Sequence, residues 1–154
     1  LASHRKQQEM LAKEEMVVSA DDKEAKPYKD KSFHVDHYCF DSNPEKTLFW
    51  DLLREQRVQK IWFTGMLTHG QSDFFIQYID PETHTVRSYY PDFIYIDLSG
   101  TYNIVEVKGD NMIDDPVVQA KKEYAEQMTE DSGMTYKMIK GSEVMAREFR
   151  KLLE

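Results

Sequence analysis

The sequence predicts an α/β domain in which helices flank a central mixed sheet of four to five strands. Residues 42–57 and 117–130 each place apolar residues at helical spacing behind a capping residue and a proline. Several short runs rich in β-branched and aromatic residues end at turn residues and are therefore predicted to be strands. The order along the chain is helix, strands, helix, strand, helix, which favours a sheet covered by helices.

The chain is predicted to contain one folded domain behind a polar segment. Residues 1–38 are rich in charge and are interpreted as an N-terminal extension or linker, in which residues 3–18 could form a helix. Residues 39–154 are predicted to be the folded domain. A hydrophobic content of 40%, with eight Phe, nine Tyr and two Trp in the chain, supports a packed core rather than disorder.

Each predicted element has its own signal. The first helix has Ser42 or Asn43 as its N-cap and Pro44 in the first helical position, whereas Asp115 and Pro116 begin the second. The expected strands and the final helix follow from turn residues and alternation. In order, these remaining elements are the strands 58–67, 74–79, 85–98, 102–108 and 135–140 and the helix 142–153.

Three charged residues are predicted to meet at one end of a hairpin. Ser99 and Gly100 form a turn between two strands, which makes those strands antiparallel neighbours. Asp92 begins the first strand, whereas Glu106 and Lys108 end the second and share one face because side chains alternate along a strand. Charges are rarely buried without a partner or a metal, and two carboxylates beside an ammonium suit a hard divalent cation and an activated water.

The residues Pro91 and Asp92, followed after 13 further residues by Glu106-Val107-Lys108, resemble the PD-(D/E)xK nuclease superfamily, which has the restriction-endonuclease-like fold. The hydrophobic frame Tyr-Tyr-Pro-Asp-Phe…Ile-Val-Glu-Val-Lys-Gly strengthens the resemblance. Over residues 39–140 the order of elements looks most like the endonuclease domain of type III restriction subunits and of related helicase–nuclease proteins. The matching acid on the first helix is Glu45.

The resemblance implies a metal-dependent endodeoxyribonuclease that cuts double-stranded DNA. Asp92, Glu106 and the backbone carbonyl of Val107 would bind Mg²⁺, with Mn²⁺ as a substitute. Lys108 would hold or help to deprotonate the attacking water, and Glu45 would bind a second metal ion or a metal-bound water. Products with 5′-phosphate and 3′-hydroxyl ends are expected.

Further residues are candidates for contact with DNA. On the helix after Glu-x-Lys, the superfamily often presents a Gln or Lys to the DNA, and Gln119, Lys121 and Lys122 are the candidates here. Gln119 or Lys122 would face the site, depending on the phase of the helix. Arg87 lies on the strand before Asp92 and could position a phosphate. For all of these side chains an ordinary solvated or packed role remains an alternative.

The expected partners are a helicase or translocase region of the same protein, a modification or specificity subunit, and a second copy for double-strand cleavage. The single cysteine, Cys39, excludes an internal disulfide, and no apolar run approaches the ~20 residues of a membrane span. The single cysteine fits a reducing cytoplasm, and the resemblance implies a bacterial or phage source.

The net charge of −8 opposes nucleic-acid binding, although part of the acid lies in residues 9–30 and tethering to a DNA-bound motor would offset weak binding. Two alternatives stay open. One is a catalytically inactive nuclease-fold module that binds DNA or protein. The other is a different metal-dependent enzyme, or a chance Asp…Glu-x-Lys in an unrelated α/β domain.

Overall fold

A computed structural model describes residues 15–65 and 75–154 of the protein. The helices are α1, Asn43–Arg54, α2, Pro116–Asp131, and the short α3, Gly141–Met145. Three 3₁₀ turns cover Lys26–Tyr28, Asp110–Met112 and Phe149–Leu153. The strands are β1 (Val17–Ser19), β2 (His37–Cys39), β3 (Val58–Phe63), β4 (Ile76–Ile79), β5 (Val86–Tyr89), β6 (Phe93–Asp97), β7 (Tyr102–Lys108) and β8 (Thr135–Lys140).

The centre of the fold is a mixed four-stranded sheet in the order β3-β6-β7-β8. The pairs β3–β6 and β6–β7 are antiparallel, whereas β7 and β8 are parallel and are joined through α2. A parallel pair needs such a crossover, because the chain must return to the starting edge of the sheet. The predicted restriction-endonuclease-like α/β class, with a mixed central sheet flanked by helices, is confirmed.

One face of the sheet is covered by α1 and buries an aromatic core. Phe63 and Phe93 are opposite each other on β3 and β6, and their ring centroids lie 5.1 Å apart. Phe40 stacks on this pair at 4.5 Å from Phe63, and Phe49 of α1 contacts Phe40 at 5.2 Å. All four side chains are buried, so this face is held mainly by apolar burial.

The opposite face is covered by α2, against which the separate β4–β5 ribbon packs. Val118 and Ala125 of α2 are buried, as are Ile94 and Ile104 of the sheet. Asp115 begins α2 as its N-cap, since its carboxylate accepts hydrogen bonds from the N–H groups of the first turn. Val105 and Val107 of β7 face the aromatic core. Because side chains alternate along a strand, Glu106 between them lies on the α2 face.

Residues 17–39 pack onto the same core. β1 and β2 pair in an antiparallel ribbon, and Val18, Ala25 and Tyr38 belong to the buried cluster on the α1 face. The expected helix over 3–18 is wrong at its end, where β1 begins, and residues 1–14 lie outside the described residues. The domain boundary at residue 39 stays a prediction.

Two further expectations are corrected. The single strand predicted over 85–98 is two strands, because Pro91 lacks the N–H that a sheet ladder needs and the chain turns from the β4–β5 ribbon into β6. The helix predicted over 142–153 breaks after Met145, since Arg147 adopts a left-handed backbone with φ of 62°. Within the described parts of the chain, no helix has the length and apolarity needed to cross a bilayer.

Candidate functional site

Asp92 lies at the open end of the β6–β7 hairpin, directly before β6. Its carboxylate Oδ2 accepts a hydrogen bond of 2.8 Å from the N–H of Val107. Burial raises the pKa of the Asp92 carboxyl to about 6, although the bond from Val107 and the charge of Lys108 oppose the shift. The protein therefore holds Asp92 where its ionised form is poorly solvated.

Glu106 is the most deeply buried acid of the hairpin, with only 3% of its surface exposed. Its Oε2 lies 3.8 Å from Nζ of Lys108, whereas its Oε1 is buried and has no hydrogen-bond partner. Burial, followed by the charge of Asp92, raises the pKa of Glu106 well above its usual range. A buried carboxylate with one unsatisfied oxygen is costly, so this position favours a bound cation.

The backbone carbonyl of Val107 lies on the same edge of β7 as Asp92. In a strand, the N–H and C=O of one residue point to the same side, and the N–H of Val107 points to Asp92. The ladder between β6 and β7 has its last pair at Phe93 and Val105. The carbonyl of Val107 is therefore beyond the ladder, where it can serve as an oxygen ligand.

Glu45 reaches the same end of the sheet from the first turn of α1. Its backbone N–H donates to Oγ of Ser42, the N-cap, and its carboxylate accepts from the N–H of Asp41 at 3.2 Å. Burial and the neighbouring charge of Asp92 raise the pKa of Glu45 to about 7. The hydrogen bond that Ser42 accepts confirms the expected N-cap of α1, with Ser42 in that role.

The end of β3 clamps the backbone of Asp92, a feature that the sequence interpretation missed. The N–H groups of Thr64 and Gly65 donate to the carbonyl of Asp92 at 2.8 and 3.2 Å. A Cβ at Gly65 would lie 3.0 Å from Oδ1 of Asp92 and equally near the ring of Phe63. Any other residue would force Asp92 or Phe63 to shift, and a lone Gly near the end of the strand predicted over 58–67 was the available signal.

Three of the four candidate DNA-contacting side chains are engaged elsewhere. Gln119 donates to the carbonyl of Ile113, Lys122 lies 3.9 Å from Glu126, and Arg87 pairs with Asp80 at 2.9 Å. The role proposed for these three side chains in binding substrate stays a prediction.

Lys121 is the α2 side chain that faces the acids. Its Nζ lies 5.1 and 5.4 Å from the ring centroids of Tyr89 and Tyr78, and its charge acts on both Asp92 and Glu106. Burial, followed by the charge of Lys108, lowers the pKa of Lys121. The phase of α2 thus brings Lys121 to the site.

The donor set suits Mg²⁺. Two carboxylates and one carbonyl are hard oxygen ligands, and Mg²⁺ in proteins commonly uses one or two carboxylates and keeps several waters. Across residues 15–65 and 75–154, no three His, Cys, Asp or Glu side chains are grouped to hold an ion by themselves. The unsatisfied Oε1 of Glu106 beside Asp92 is the observation that fits a cation here.

A mixed sheet flanked by helices, with Pro-Asp and Glu-x-Lys at the open end of a hairpin, is the arrangement of the restriction-endonuclease-like superfamily. Residues 67–141, nearly half of the chain, match the family described as TnsA-like endonuclease N terminal, which belongs to that PD-(D/E)xK superfamily. The match supports the predicted superfamily, whose fold class the structure confirms. The finer likeness to type III restriction subunits gains no specific support. No curated protein matches the chain.

Proposed function

We propose that this chain is a metal-dependent endodeoxyribonuclease domain that hydrolyses phosphodiester bonds of double-stranded DNA. The observation that carries the proposal is the buried, unpartnered Oε1 of Glu106 next to Asp92, with the ammonium of Lys108 3.8 Å from the other oxygen. The match to an endonuclease family covers all three of these residues.

Asp92, Glu106 and the carbonyl of Val107 would hold Mg²⁺, or Mn²⁺ in its place. When bound, the ion would supply a Lewis acid for the phosphate and lower the pKa of a water. Lys108, on the same face as Glu106, would orient the attacking water by hydrogen bonding and stabilise the negative charge that develops on the phosphate. The products would carry 5′-phosphate and 3′-hydroxyl ends.

Glu45 would act as a general acid or base in this reaction. Its pKa of about 7 lets it gain or lose a proton near neutral pH, as general acid–base catalysis requires. It lies close enough to Asp92 for their charges to interact. Glu45 would therefore hold a water, or a second ion, beside the two ligands.

The domain would act within a larger protein. A net charge of −8 opposes binding to DNA, so a helicase or translocase region and a specificity subunit would hold the DNA, as in type III restriction systems. The matched family model describes the N-terminal part of TnsA-like endonucleases, which supports the proposal of a longer protein. Since one centre cuts one strand, two copies would make a double-strand break.

The test is a nicking assay on supercoiled plasmid with Mg²⁺ or Mn²⁺ at high protein concentration. The chain is compared with its Asp92→Ala and Lys108→Ala variants, and Lys60→Ala is the control because Lys60 is exposed on β3. We expect metal-dependent nicking by the parent and by Lys60→Ala, and none by the other two.

Nicking by a folded Lys108→Ala protein would contradict the assigned chemistry. A folded parent that binds the metal but does not nick would show that cleavage needs the rest of the larger protein. A parent that neither nicks nor binds metal would favour the inactive-module alternative.

A further inference from the structure

Three buried polar atoms without a hydrogen-bond partner lie on the α2 face of the sheet. They are Oε1 of Glu106 and the hydroxyl oxygens of Tyr89 and Tyr136. The two hydroxyls lie close enough to influence each other, and if one donates to the other, the second O–H still lacks an acceptor. An unsatisfied buried polar group costs about 1–3 kcal/mol, so three of them in one region need an explanation.

The topology brings these atoms together. In the parallel pair of β7 and β8, Tyr136 is opposite Ile104 and Met138 is opposite Glu106. Because side chains alternate along a strand, Tyr136 lies on the same face of the sheet as Glu106. The ribbon of β4 and β5 packs on α2, where the ring of Tyr89 lies against the ammonium of Lys121. After burial itself, the charge of Glu106 is the largest influence that raises the pKa of each tyrosine.

The ring of Tyr89 is fixed by its surroundings. It packs edge-on against Tyr78 with the ring centroids 5.9 Å apart, and the ammonium of Lys121 lies 5.1 Å from its centroid. A ring that is held on two sides presents its hydroxyl in a constant direction. The hydroxyl is therefore preorganised as a hydrogen-bond donor for the acid beside it.

We propose that Tyr89 and Tyr136 are positioning residues that hold the carboxylate of Glu106 for metal binding, an inference that rests on the proposed function. Through one bridging water their hydroxyls donate to one lone pair of Oε1, which leaves the other lone pair of Oε1 for the cation and Oε2 turned towards Lys108. A ligand carboxylate is commonly oriented in this way by hydrogen bonds from behind, and loss of such a partner costs about 10–100-fold in metal affinity or activity.

The test measures direct binding of Mn²⁺ through the electron spin resonance signal of the free ion. The proteins compared are the parent and the variants Tyr89→Phe, Tyr136→Phe and Tyr95→Phe. Each substitution keeps the ring and removes only the hydroxyl. Tyr95 is the matched control, because it is buried on the α1 face and its hydroxyl donates to the carbonyl of Leu152 at 3.0 Å.

We expect Tyr89→Phe and Tyr136→Phe each to weaken Mn²⁺ binding about 10-fold with unchanged stoichiometry. Tyr95→Phe keeps the affinity of the parent. In the nicking assay, saturating Mn²⁺ restores the rate of both Phe variants, a rescue that a merely structural role would not give. Circular dichroism identifies any variant that does not fold. If one of Tyr89→Phe and Tyr136→Phe does not fold, the Mn²⁺ affinity of the other tests the inference.

Parental affinity in both Phe variants, or an equal loss in Tyr95→Phe, would overturn the inference and leave the proposed function intact. A parent that binds no Mn²⁺ would overturn both together.

Discussion

The two ends of the β6–β7 hairpin each carry an aspartate, and the protein treats the two aspartates in opposite ways. At the turn end, Asp97 accepts hydrogen bonds from the N–H groups of Ser99 and Thr101 and from the side chain of Asn103, at 3.0, 3.1 and 3.2 Å. These bonds, with that from the hydroxyl of Ser99 as the largest influence, lower the pKa of Asp97. The turn end is a satisfied structural site.

At the open end, Asp92 receives one backbone hydrogen bond and Oε1 of Glu106 receives none. Burial there raises the pKa of both acids. The residue type is the same at the two ends of the hairpin, so the difference lies in solvation and partners. An acid that its own fold leaves unsatisfied is one that suits a ligand, whereas a saturated acid stabilises a turn.

The largest expected effect comes from exchanging each aspartate for its neutral isostere. Asp92→Asn should lower metal-dependent nicking by at least about 10²-fold, the cost of losing one preorganised electrostatic group. Asp97→Asn should leave the chemistry intact and lower the free energy of unfolding by about 1 kcal/mol through lost hydrogen bonds. Nicking rates and urea denaturation measure the two effects, and an equal loss of nicking in both variants would erase the contrast between the ends.

A smaller effect is expected from two glycines, one near each end. Gly65→Ala places a methyl group 3.0 Å from Oδ1 of Asp92, so the carboxylate must move. We expect about a 10-fold loss of nicking, comparable to the loss of a supporting partner.

Gly100→Ala is its control. Gly100 has a φ of 85° and open space around it, so alanine there should cost about 1–2 kcal/mol of stability by backbone strain without changing nicking per folded molecule. If Gly65→Ala nicked like the parent, the close approach at Asp92 would have no functional meaning.

The smallest effect concerns pH. The folded pKa of Asp92, about 6, lies above its ordinary value of 3.8, so its contribution to stability is fully present below pH 3.8 and is lost as pH rises from there through 6. Without metal, the melting temperature of the parent should therefore fall by several degrees relative to Asp92→Asn between about pH 4 and about pH 7. One pKa unit corresponds to about 1.4 kcal/mol, and about 1 kcal/mol shifts melting by about 2–4 °C in a domain of this size.

Excess Mg²⁺ should remove this deficit at the higher pH, because the cation replaces the missing partner of the ionised carboxylate. Scanning calorimetry at both pH values, with and without Mg²⁺, measures it. A parent that gains stability relative to Asp92→Asn as pH rises in the absence of metal would contradict the assigned solvation of Asp92.

The sequence alone was sufficient for the features that depend on local pattern. Alternation and the turn at Ser99 and Gly100 predicted the hairpin, and with it the meeting of Asp92, Glu106 and Lys108, because register follows from the turn. The N-cap of α2 at Asp115 followed from residue type in the same way.

Features that depend on packing between distant segments were not predictable. Lys121 faces the acids because the β4–β5 ribbon packs against that side of α2. In the sequence, a continuous run of β-forming residues hid the separation of this ribbon from β6. Pro91 was the one local sign of that break. The clamp of Thr64 and Gly65 on Asp92 joins residues 27 and more positions apart, for which a single sequence carries no pattern.

The most direct test of the central claim is calorimetric titration of Mn²⁺ into the chain near pH 6.5, in two buffers of different ionisation enthalpy. Since the acids of the open end are partly protonated there, binding should release protons, and the release should shrink near pH 8.5. Asp97→Asn should behave as the parent, and Asp92→Asn should lose the binding. Binding that survives Asp92→Asn unchanged, or that is absent from the folded parent, would contradict the account.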